Sequence, residues 1–296
     1  MGLGARWRAV VRAARGLPSG PPQAFPAGAF YSPIVDPQVV LNPPDGSRVW
    51  PERPHDPPGL DLRGPQQLAL LGRLAAHPLP PRTSGSGAAY DPTNDQFPPH
   101  DAAVLYAMVR LLQPSRIVEI GCGWSTTVTA AAIEDGGLAT KLTCIEPYPR
   151  DFLRSMGDVV TLREERVELT PQSVFDELEA GDICFIDSSH VVKTGSDVVH
   201  ELLEVVPRLA DGVVVHVHDV FIPEDYPRGW VEHGFNWNEQ YLLQAFLVGN
   251  TRVEVLLMNH FLAIRHPDEV RAAFGPIALN GSSVWFATGP VPRLVG

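Results

Sequence analysis

The sequence predicts an α/β fold in which helices cover both faces of a doubly wound parallel sheet. From residue 116 onward, short apolar runs alternate with helical stretches, which is the pattern of repeated strand–helix–strand units. A glycine-rich turn, Gly121-Cys122-Gly123, joins the first apolar run to an alanine-rich helical run. By contrast, 19 of the 30 prolines lie in the first 100 residues and exclude long regular elements there. We therefore expect the sheet domain in residues 100–296.

The amino-acid composition excludes several classes of function. With 296 residues, 44% of them hydrophobic and 19% charged, the chain is long enough for one large globular domain plus an extension. The net charge of 23 − 34 = −11 argues against nucleic-acid binding through phosphate neutralisation. Three widely spaced cysteines indicate reduced core thiols. No apolar run reaches ~18 residues and no secretory signal is evident, so we expect a cytoplasmic protein without integral membrane contact.

Residues 1–99 are predicted to form an N-terminal amphipathic helix followed by a proline-rich, irregular cover or lid. In residues 5–15, Trp7 and Val10 share one helical face and Arg8 and Arg12 share another. A short docking helix or frayed terminus is favoured over a helix lying on an anionic membrane. One further helix is predicted within the cover, at Gln66–Ala76.

The sheet domain is expected to begin with a helix that Asp101 caps and that ends at Leu112, before Pro114. The apolar runs then predict seven strands, at residues 116–120, 141–146, 165–169, 182–187, 212–218, 252–258 and 283–288. The stretches between them predict helices at residues 125–134, 149–156, 172–179, 196–209 and 238–248.

Polar residues stand at the ends of four of these strands. They are Glu119 with Gly121, then Glu146, Asp187, and His218 with Asp219. In an open α/β sheet, ligands bind beyond the carboxyl ends of the strands. These residues are therefore predicted to surround a ligand.

The glycine turn limits what that ligand is. A dinucleotide fingerprint needs a third glycine where this chain has Thr126, and the G-K-[ST] sequence of a P-loop is absent. The pattern present is E-x-G-x-G-x-S, followed by a strand that ends in Glu146, an acid that can hold ribose hydroxyls. The alternative is an ordinary tight turn between a strand and a helix.

The motifs EIGCGWS (119–125) and DICFID (182–187), together with Glu146, resemble those of class I S-adenosylmethionine-dependent methyltransferases. The later blocks FIDSSHVVKTGSDV, VHVHDVFIPEDYP and NEQYLLQAF resemble a bacterial subgroup near natural-product and sugar O-methyltransferases of the cephalosporin-pathway and macrolide-sugar kind. The resemblance implies a Rossmann-like, seven-stranded sheet whose last strand is antiparallel. It also implies a set of cofactor-binding residues: Glu119, Gly121, Gly123, Ser125, Glu146, Gln172, Ser173 and Asp187.

The chemistry of the transfer is expected at the ends of the fourth and fifth strands. Methyl transfer needs the acceptor aligned and its proton removed, and Asp187, His190 and His218 are the predicted catalytic residues. In metal-dependent relatives, acids at these places hold magnesium. The predicted metal ligands are therefore Asp187, His218 and Asp219, although the imidazole of His218 suits zinc, iron or nickel better than magnesium. His190 as a base without any metal is the alternative, and His216 and His260 are predicted to be structural.

The predicted function is methyl transfer from S-adenosylmethionine to a hydroxyl or amine of a small-molecule acceptor, with homo-oligomers expected. Two alternatives stay open: a metal-dependent oxidoreductase or hydroxylase that uses the His-x-His-Asp cluster, and a non-catalytic nucleotide-binding module. The aromatic stretch Phe221–Trp237 is interpreted either as a lid over the acceptor or as a packing flap.

Overall fold

The computed structural model describes residues 24–42, 45–52, 55–79, 89–157 and 159–294. The helix predicted at residues 5–15 lies outside this described part. The chain divides into two compact units. Of the described residues, the first unit contains those before position 55 together with Glu224–Asn236, and the second contains those from His55 to Pro223 and from Trp237 onward.

The second unit contains a seven-stranded sheet with the strand order β3-β2-β1-β4-β5-β7-β6. The first five strands pair in parallel, whereas β7 is antiparallel to both of its neighbours. The strands are β1 (Arg116–Ile120), β2 (Lys141–Ile145), β3 (Val160–Arg163), β4 (Ile183–Ile186), β5 (Val214–Val217), β6 (Glu254–Met258) and β7 (Val284–Ala287). This arrangement confirms the predicted Rossmann-like fold with an antiparallel last strand.

Twelve α-helices are assigned in the described residues. They are α1 (Pro37–Leu41), α2 (Asp45–Val49), α3 (Gly64–Leu74), α4 (Pro99–Leu112), α5 (Trp124–Gly136), α6 (Asp151–Arg154), α7 (Ser173–Asp176), α8 (Asp197–His200), α9 (Arg228–Glu232), α10 (Glu239–Leu247), α11 (Asn259–Arg265) and α12 (Pro267–Phe274). The sequence did not predict α1, α2, α9, α11 and α12. Within the described ranges, no helix combines the length and apolar character needed to cross a membrane.

Two predicted elements differ from the observed ones. The third strand occupies Val160–Arg163 rather than residues 165–169, because the charged side chains of Glu164, Glu165 and Arg166 follow it and a 3-10 turn covers Val167–Leu169. The single helix predicted at residues 196–209 is α8 followed by a π-helical turn, Glu201–Val205, and a 3-10 turn, Val206–Arg208. Pro207 has no backbone N–H, so a regular helix cannot continue through this segment.

The core of the sheet is apolar and aromatic. Every residue of β4, β5 and β7 is buried, as expected for strands with helices on both faces. His216 lies between Phe185 and Trp285, with ring centroids 4.1 and 4.0 Å away. This stacking agrees with the structural role predicted for His216, and neither ring nitrogen has a hydrogen-bond partner among the described residues. Burial lowers the pKa of His216 well below its usual value, so the ring is neutral.

The first unit is held together by contacts of Trp50 and Arg228. The indole Nε1 of Trp50 donates to the carbonyl of Tyr226 at 2.9 Å, and the guanidinium of Arg228 lies 5.2 Å from the Trp50 ring centroid. Arg228 also donates to the carbonyl of Leu41 at 3.1 Å. The proline-rich segment and residues 224–236 therefore pack on each other within this unit.

Two leucines provide a matched test of where the stabilising core lies. Leu142 in β2 is 1% exposed, whereas Leu169 is 71% exposed. Truncating Leu142 removes buried contacts and leaves a cavity, so Leu142→Ala should lower the free energy of unfolding by about 2–5 kcal/mol. Leu169→Ala should lower it by no more than about 0.5 kcal/mol. Denaturant unfolding measures both, and equal losses would contradict the assignment of β2 to the core.

Candidate active site

The turn after β1 forms an open cradle. Gly121 has φ +79°, in the left-handed region that favours glycine, and its N–H donates to the carbonyl of Ile145 at 2.9 Å. Gly123 has extended backbone, and a Cβ built on it would meet no atom within 4 Å among the described residues. A ligand can therefore approach the backbone closely at Gly123, as the fit of a cofactor requires.

Glu119 holds this turn against the start of α5. Its carboxylate is fully buried and accepts hydrogen bonds from Ser125 Oγ at 2.6 Å and from Thr126 Oγ1 at 2.9 Å. Thr126 Oγ1 in turn accepts from the N–H of Gly123 at 3.1 Å. Thr126, which stands where a dinucleotide fingerprint has glycine, is thus part of the turn itself. Glu119 and Ser125 contact each other here, while their predicted contact with a cofactor stays a prediction.

The other predicted cofactor residues follow the neighbouring strands. Glu146, directly after β2, is 7% exposed, and its Oε1 accepts from the N–H of Tyr148 at 2.8 Å. Gln172 and Ser173 lie at the start of α7, beyond β3. The side chain of Gln172 is half-buried and donates to Asp176 Oδ1 at 3.0 Å, and Ser173 is exposed.

The four polar residues predicted at the ends of β4 and β5 form one cluster. His190 Nε2 lies 3.3 Å from Asp187 Oδ1 and 3.6 Å from Asp219 Oδ2. His218 Nδ1 lies 3.6 Å from Asp187 Oδ1 and 3.6 Å from Asp219 Oδ1. The two carboxylates therefore lie between the two imidazoles.

The backbone of this cluster is strained. His190 has φ +61° and Asp219 has φ +58°, a conformation that few residues other than glycine adopt. Such backbone costs about 1–3 kcal/mol per residue and concentrates at functional sites. Both side chains belong to the shared cluster.

Glu239, which the sequence did not identify as a site residue, completes the surroundings of His190. Its Oε2 lies 2.8 Å from His190 Nδ1, and the carboxylate is 1% exposed. The N–H groups of Asn238 and Glu239 donate to the carbonyl of His190 at 3.0 and 3.2 Å, which docks the start of α10 on this residue. The ring of Trp237 packs against the imidazole at 4.3 Å between centroids. The block NEQYLLQAF contains Glu239, but no spacing in it indicates a partner 49 residues away.

Asp101 makes different contacts from those that the sequence predicted. It was predicted to cap a helix, but α4 begins at Pro99 and Asp101 lies inside its first turn without capping it. Its buried carboxylate lies 3.2 Å from His218 Nε2 and accepts from Asn259 Nδ2 at 2.6 Å and from Ser283 Oγ at 2.7 Å. The Asp101 carboxylate binds these donors instead of capping the helix, because a carboxylate removed from water requires several hydrogen-bond donors.

The electrostatics of the cluster reflect crowded, buried carboxylates. Burial raises the pKa of Asp219 and of Glu239 above the ordinary range. Burial alone would lower the pKa of His190, but hydrogen bonds to Asp187 and Glu239 outweigh it and raise that pKa to about 10. Burial is likewise outweighed at His218, whose pKa Asp219 and Asp187 raise well above its usual value. Burial would raise the pKa of Asp101, but the hydrogen bond from His218 and its charge lower it on balance.

The donor atoms present fit a metal ion at one place. One atom each of Asp187, His218 and Asp219 lies within 4.8 Å of the others, which is the predicted ligand set. His190 lies outside this set, beside both carboxylates. Glu119, Cys122 and Cys144 form a second such group. The Glu119 carboxylate there already accepts hydrogen bonds from Ser125 and Thr126. Burial raises the pKa of both thiols. His260 packs edge-on against Phe221 at 5.4 Å.

Comparisons with known proteins add the following similarities. An uncharacterised protein of Archaeoglobus fulgidus is 31% identical over 139 residues, which are 44% of this chain and 61% of that protein. The methyltransferase PaMTH1 of Podospora anserina, solved with S-adenosylhomocysteine, is 18% identical with a TM-score of 0.41 over 64% of this chain and 77% of that one. CmcI, in a form described as D160 with Mg and S-adenosylmethionine, is 16% identical with a TM-score of 0.40 over 80% of this chain and 87% of that one. At these TM-scores, neither structure transfers the role of any residue to this chain.

The family comparison concerns the part of the chain that holds the site. Residues 118–220 match a family model described as a methyltransferase domain. This stretch begins in β1 and ends directly after Asp219, so it contains the glycine turn, Glu146 and the four-residue cluster. The resemblance to methyltransferases stated from the sequence is therefore confirmed over residues 118–220.

Proposed function

We propose that this protein transfers the methyl group of S-adenosylmethionine to a hydroxyl, or an amine, of a small-molecule acceptor. The observation that supports this most is the order of strand ends. Glu146 follows β2, the glycine turn follows β1, and Asp187 follows β4, and these three strands are neighbours in the sheet. Since adjacent strands lie ~4.8 Å apart, a cofactor cradle and a proton-accepting cluster occupy adjoining parts of one edge.

On the cofactor side, the chain supplies shape and hydrogen-bond acceptors. Gly121 and Gly123 leave room for the methionine part against the backbone, and Glu119 with Ser125 keeps the turn in that shape. Glu146 is placed to accept from ribose hydroxyls, with Gln172 and Ser173 assigned to the adenine. When bound, the cofactor supplies an electrophilic methyl group on a sulfonium, so the protein has to orient the acceptor and manage its proton.

On the acceptor side, we assign the general base to His190, whose raised pKa falls once a bound cation offsets the negative charge of Asp187 and Asp219. Its Nδ1 is held by Glu239 at 2.8 Å, which leaves Nε2 directed at the cluster of Asp187 and Asp219. A carboxylate behind the imidazole fixes the ring's orientation and stabilises it once it has taken up the acceptor's proton. Glu239 is therefore a positioning residue for the base.

We further propose that Asp187, His218 and Asp219 hold a divalent metal ion. The fit rests on their donor atoms, which lie within 4.8 Å of one another, and on the buried surplus of negative charge around them. When bound, such an ion acts as a Lewis acid that lowers the pKa of the acceptor hydroxyl. Three protein ligands leave coordination positions open for the acceptor or water.

The acceptor is expected to be small, because the net charge of −11 disfavours nucleic acid. We expect the residues that select the acceptor to lie near Trp124 and near Gln96 and Arg150, whose side chains contact each other. The guanidinium of Arg150 lies 5.7 Å from the Trp124 ring centroid, and that ring stacks on Phe152. This polar and aromatic group follows the ends of β1 and β2, beside the proposed cofactor cradle. Self-association of the chain is expected but is not needed for this site.

Cofactor binding is tested with a matched pair of glycines. A Cβ on Gly123 or on Gly72 meets no described atom within 4 Å, and neither residue has positive φ. Gly123→Ala should weaken binding of S-adenosylhomocysteine at least about tenfold, about 1.4 kcal/mol, because the added methyl occupies the space of the cofactor. Gly72→Ala should leave the affinity unchanged. Isothermal calorimetry measures both, and unchanged binding in Gly123→Ala, or no binding in the native protein, would sink the proposal.

The role of His190 is tested by turnover. The protein is incubated with S-adenosylmethionine and a panel of phenols, sugars and amino compounds, and formation of S-adenosylhomocysteine is followed. His190→Gln should lower the rate by about 10²–10⁴-fold without changing the affinity for S-adenosylhomocysteine, because only proton transfer is lost. Glu239→Gln should act in the same direction but more weakly. His266→Gln, a histidine of α12's N-cap away from the cluster, serves as the control.

The alternatives give other outcomes in the same assay. Acceptor oxidation without S-adenosylmethionine, with iron bound, is what an oxidoreductase predicts. Tight binding of S-adenosylhomocysteine without turnover of any compound, and unchanged cellular function after Asp187→Ala and Asp219→Ala, is what a binding module predicts.

A further inference from the structure

One contact of His218 determines what its other ring nitrogen can do. Nε2 of His218 lies 3.2 Å from Asp101 Oδ2, with both side chains buried. Asp101 accepts hydrogen bonds from Asn259 and Ser283 and from the N–H of Ser282, so it acts as an ionised carboxylate. An ionised carboxylate only accepts. The proton at this contact is therefore on His218 Nε2.

The opposite nitrogen of the same ring then faces two further carboxylates. Nδ1 of His218 lies 3.6 Å from an oxygen of Asp187 and 3.6 Å from an oxygen of Asp219, which is beyond hydrogen-bond distance. It has no hydrogen-bond partner among the described residues. A lone pair directed at two carboxylates is unfavourable unless a cation lies between them, and that cation is either a proton or a metal ion.

The charge of the surrounding group favours a metal ion over a proton. Four carboxylates, those of Asp101, Asp187, Asp219 and Glu239, contact the two imidazoles. Even with both imidazoles protonated, the group would carry −4 + 2 = −2. Uncompensated buried charge is costly, and a divalent cation is what balances it.

We propose that Asp101 and His218 form a carboxylate–histidine pair that makes this centre select a first-row transition-metal ion over Mg²⁺. The inference rests on the metal-assisted form of the proposed function and goes beyond it in naming the class of ion and the role of Asp101. Metal-binding histidines usually donate their second N–H to a carboxylate, which fixes the tautomer and makes the ligating nitrogen more basic. Imidazole nitrogen suits transition metals, whereas Mg²⁺ prefers oxygen ligands.

The spacing of the donor atoms agrees with such an ion. Around a metal with ligand distances of ~2.1 Å, neighbouring donors lie ~3.0–3.4 Å apart. His218 Nδ1 is 3.6 Å from each carboxylate oxygen, so a small contraction completes the site. Asp101 is anchored from two other segments, by Asn259 and by Ser282 with Ser283, and so holds the His218 ring in one orientation. Asp101 is accordingly a positioning residue.

The test uses the full chain, freed of metal and titrated with Co²⁺ alone and with Mg²⁺ alone. Calorimetry gives both affinities, and the visible absorption of bound Co²⁺ reports the ligand field at His218. We expect Co²⁺ to bind at least ~100-fold more tightly than Mg²⁺. Asp101→Asn should weaken Co²⁺ binding about 10–100-fold and shift its absorption band, because the ring loses its fixed tautomer.

A second variant keeps the test decisive if Asp101→Asn does not fold. His218→Asp replaces the imidazole by a carboxylate, so the preference for Co²⁺ over Mg²⁺ should fall at least ~10-fold. His216→Phe is the matched control: it removes a buried histidine from the same strand, preserves the stacked rings, and should leave both affinities unchanged. Circular dichroism and S-adenosylhomocysteine binding identify variants that are folded.

The inference is overturned if the native chain binds Mg²⁺ as tightly as Co²⁺, or binds neither ion. It is also overturned if His218→Asp keeps the native preference, or if folded Asp101→Asn binds Co²⁺ with unchanged affinity and spectrum. In each of these cases, retained binding of S-adenosylhomocysteine would leave the methyltransferase proposal standing. Loss of that binding in the native chain would instead count against the proposed function itself.

Discussion

The parallel register of β1, β4 and β5 is the constraint on which the site depends. Ile120 is level with Ile186, and Ile186 is level with Val217, so all three strands end together. The backbone continues this pairing one residue further, since Asp187 N–H donates to the carbonyl of Ile120 and His218 N–H donates to that of Ile186. Two polar side chains from positions 31 residues apart consequently emerge side by side. The apolar strands supply the stability, and the register decides which residues meet.

Burying several charged side chains at this edge of the sheet costs free energy. Contacts from residues outside β4 and β5 offset that cost. Asp101 from α4 and Glu239 from α10 each hold one histidine by the ring nitrogen that points away from the central carboxylates. His190 and Asp219 keep left-handed backbone conformations. Both features indicate a site whose geometry is specified by the surrounding fold rather than by local preference, as a pre-organised catalytic centre requires.

The same arrangement supports the different roles proposed for the two histidines. His190 lies beside both carboxylates but outside the compact group formed by Asp187, His218 and Asp219, which suits a proton acceptor better than a metal ligand. His218 has its outer nitrogen committed to Asp101 and its inner nitrogen directed at the ligand set, which suits a metal ligand better than a base. Orientation, more than residue type, separates these roles.

Much of this could be predicted from the sequence because the signals were local. Apolar runs followed by polar residues located six of the seven strands and placed Glu146, Asp187, His218 and Asp219 at their ends, and the E-x-G-x-G-x-S pattern identified the turn. The third strand was misplaced because it is short and its apolar pattern is weak, and a charged stretch directly follows it. The contacts of Asp101 and Glu239 could not be predicted, because these residues lie 117 and 49 residues from the histidines that they contact. An acid near the start of a helix also has a local explanation, as a helix cap, which hides a contact with a distant residue.

The sequence by itself determined the strands, the turn and the kinds of side chain at the sheet's edge, since these follow from the order of neighbouring residues. Only the tertiary structure decided which nitrogen of each histidine faces the centre, because that depends on carboxylates brought in from other helices by packing.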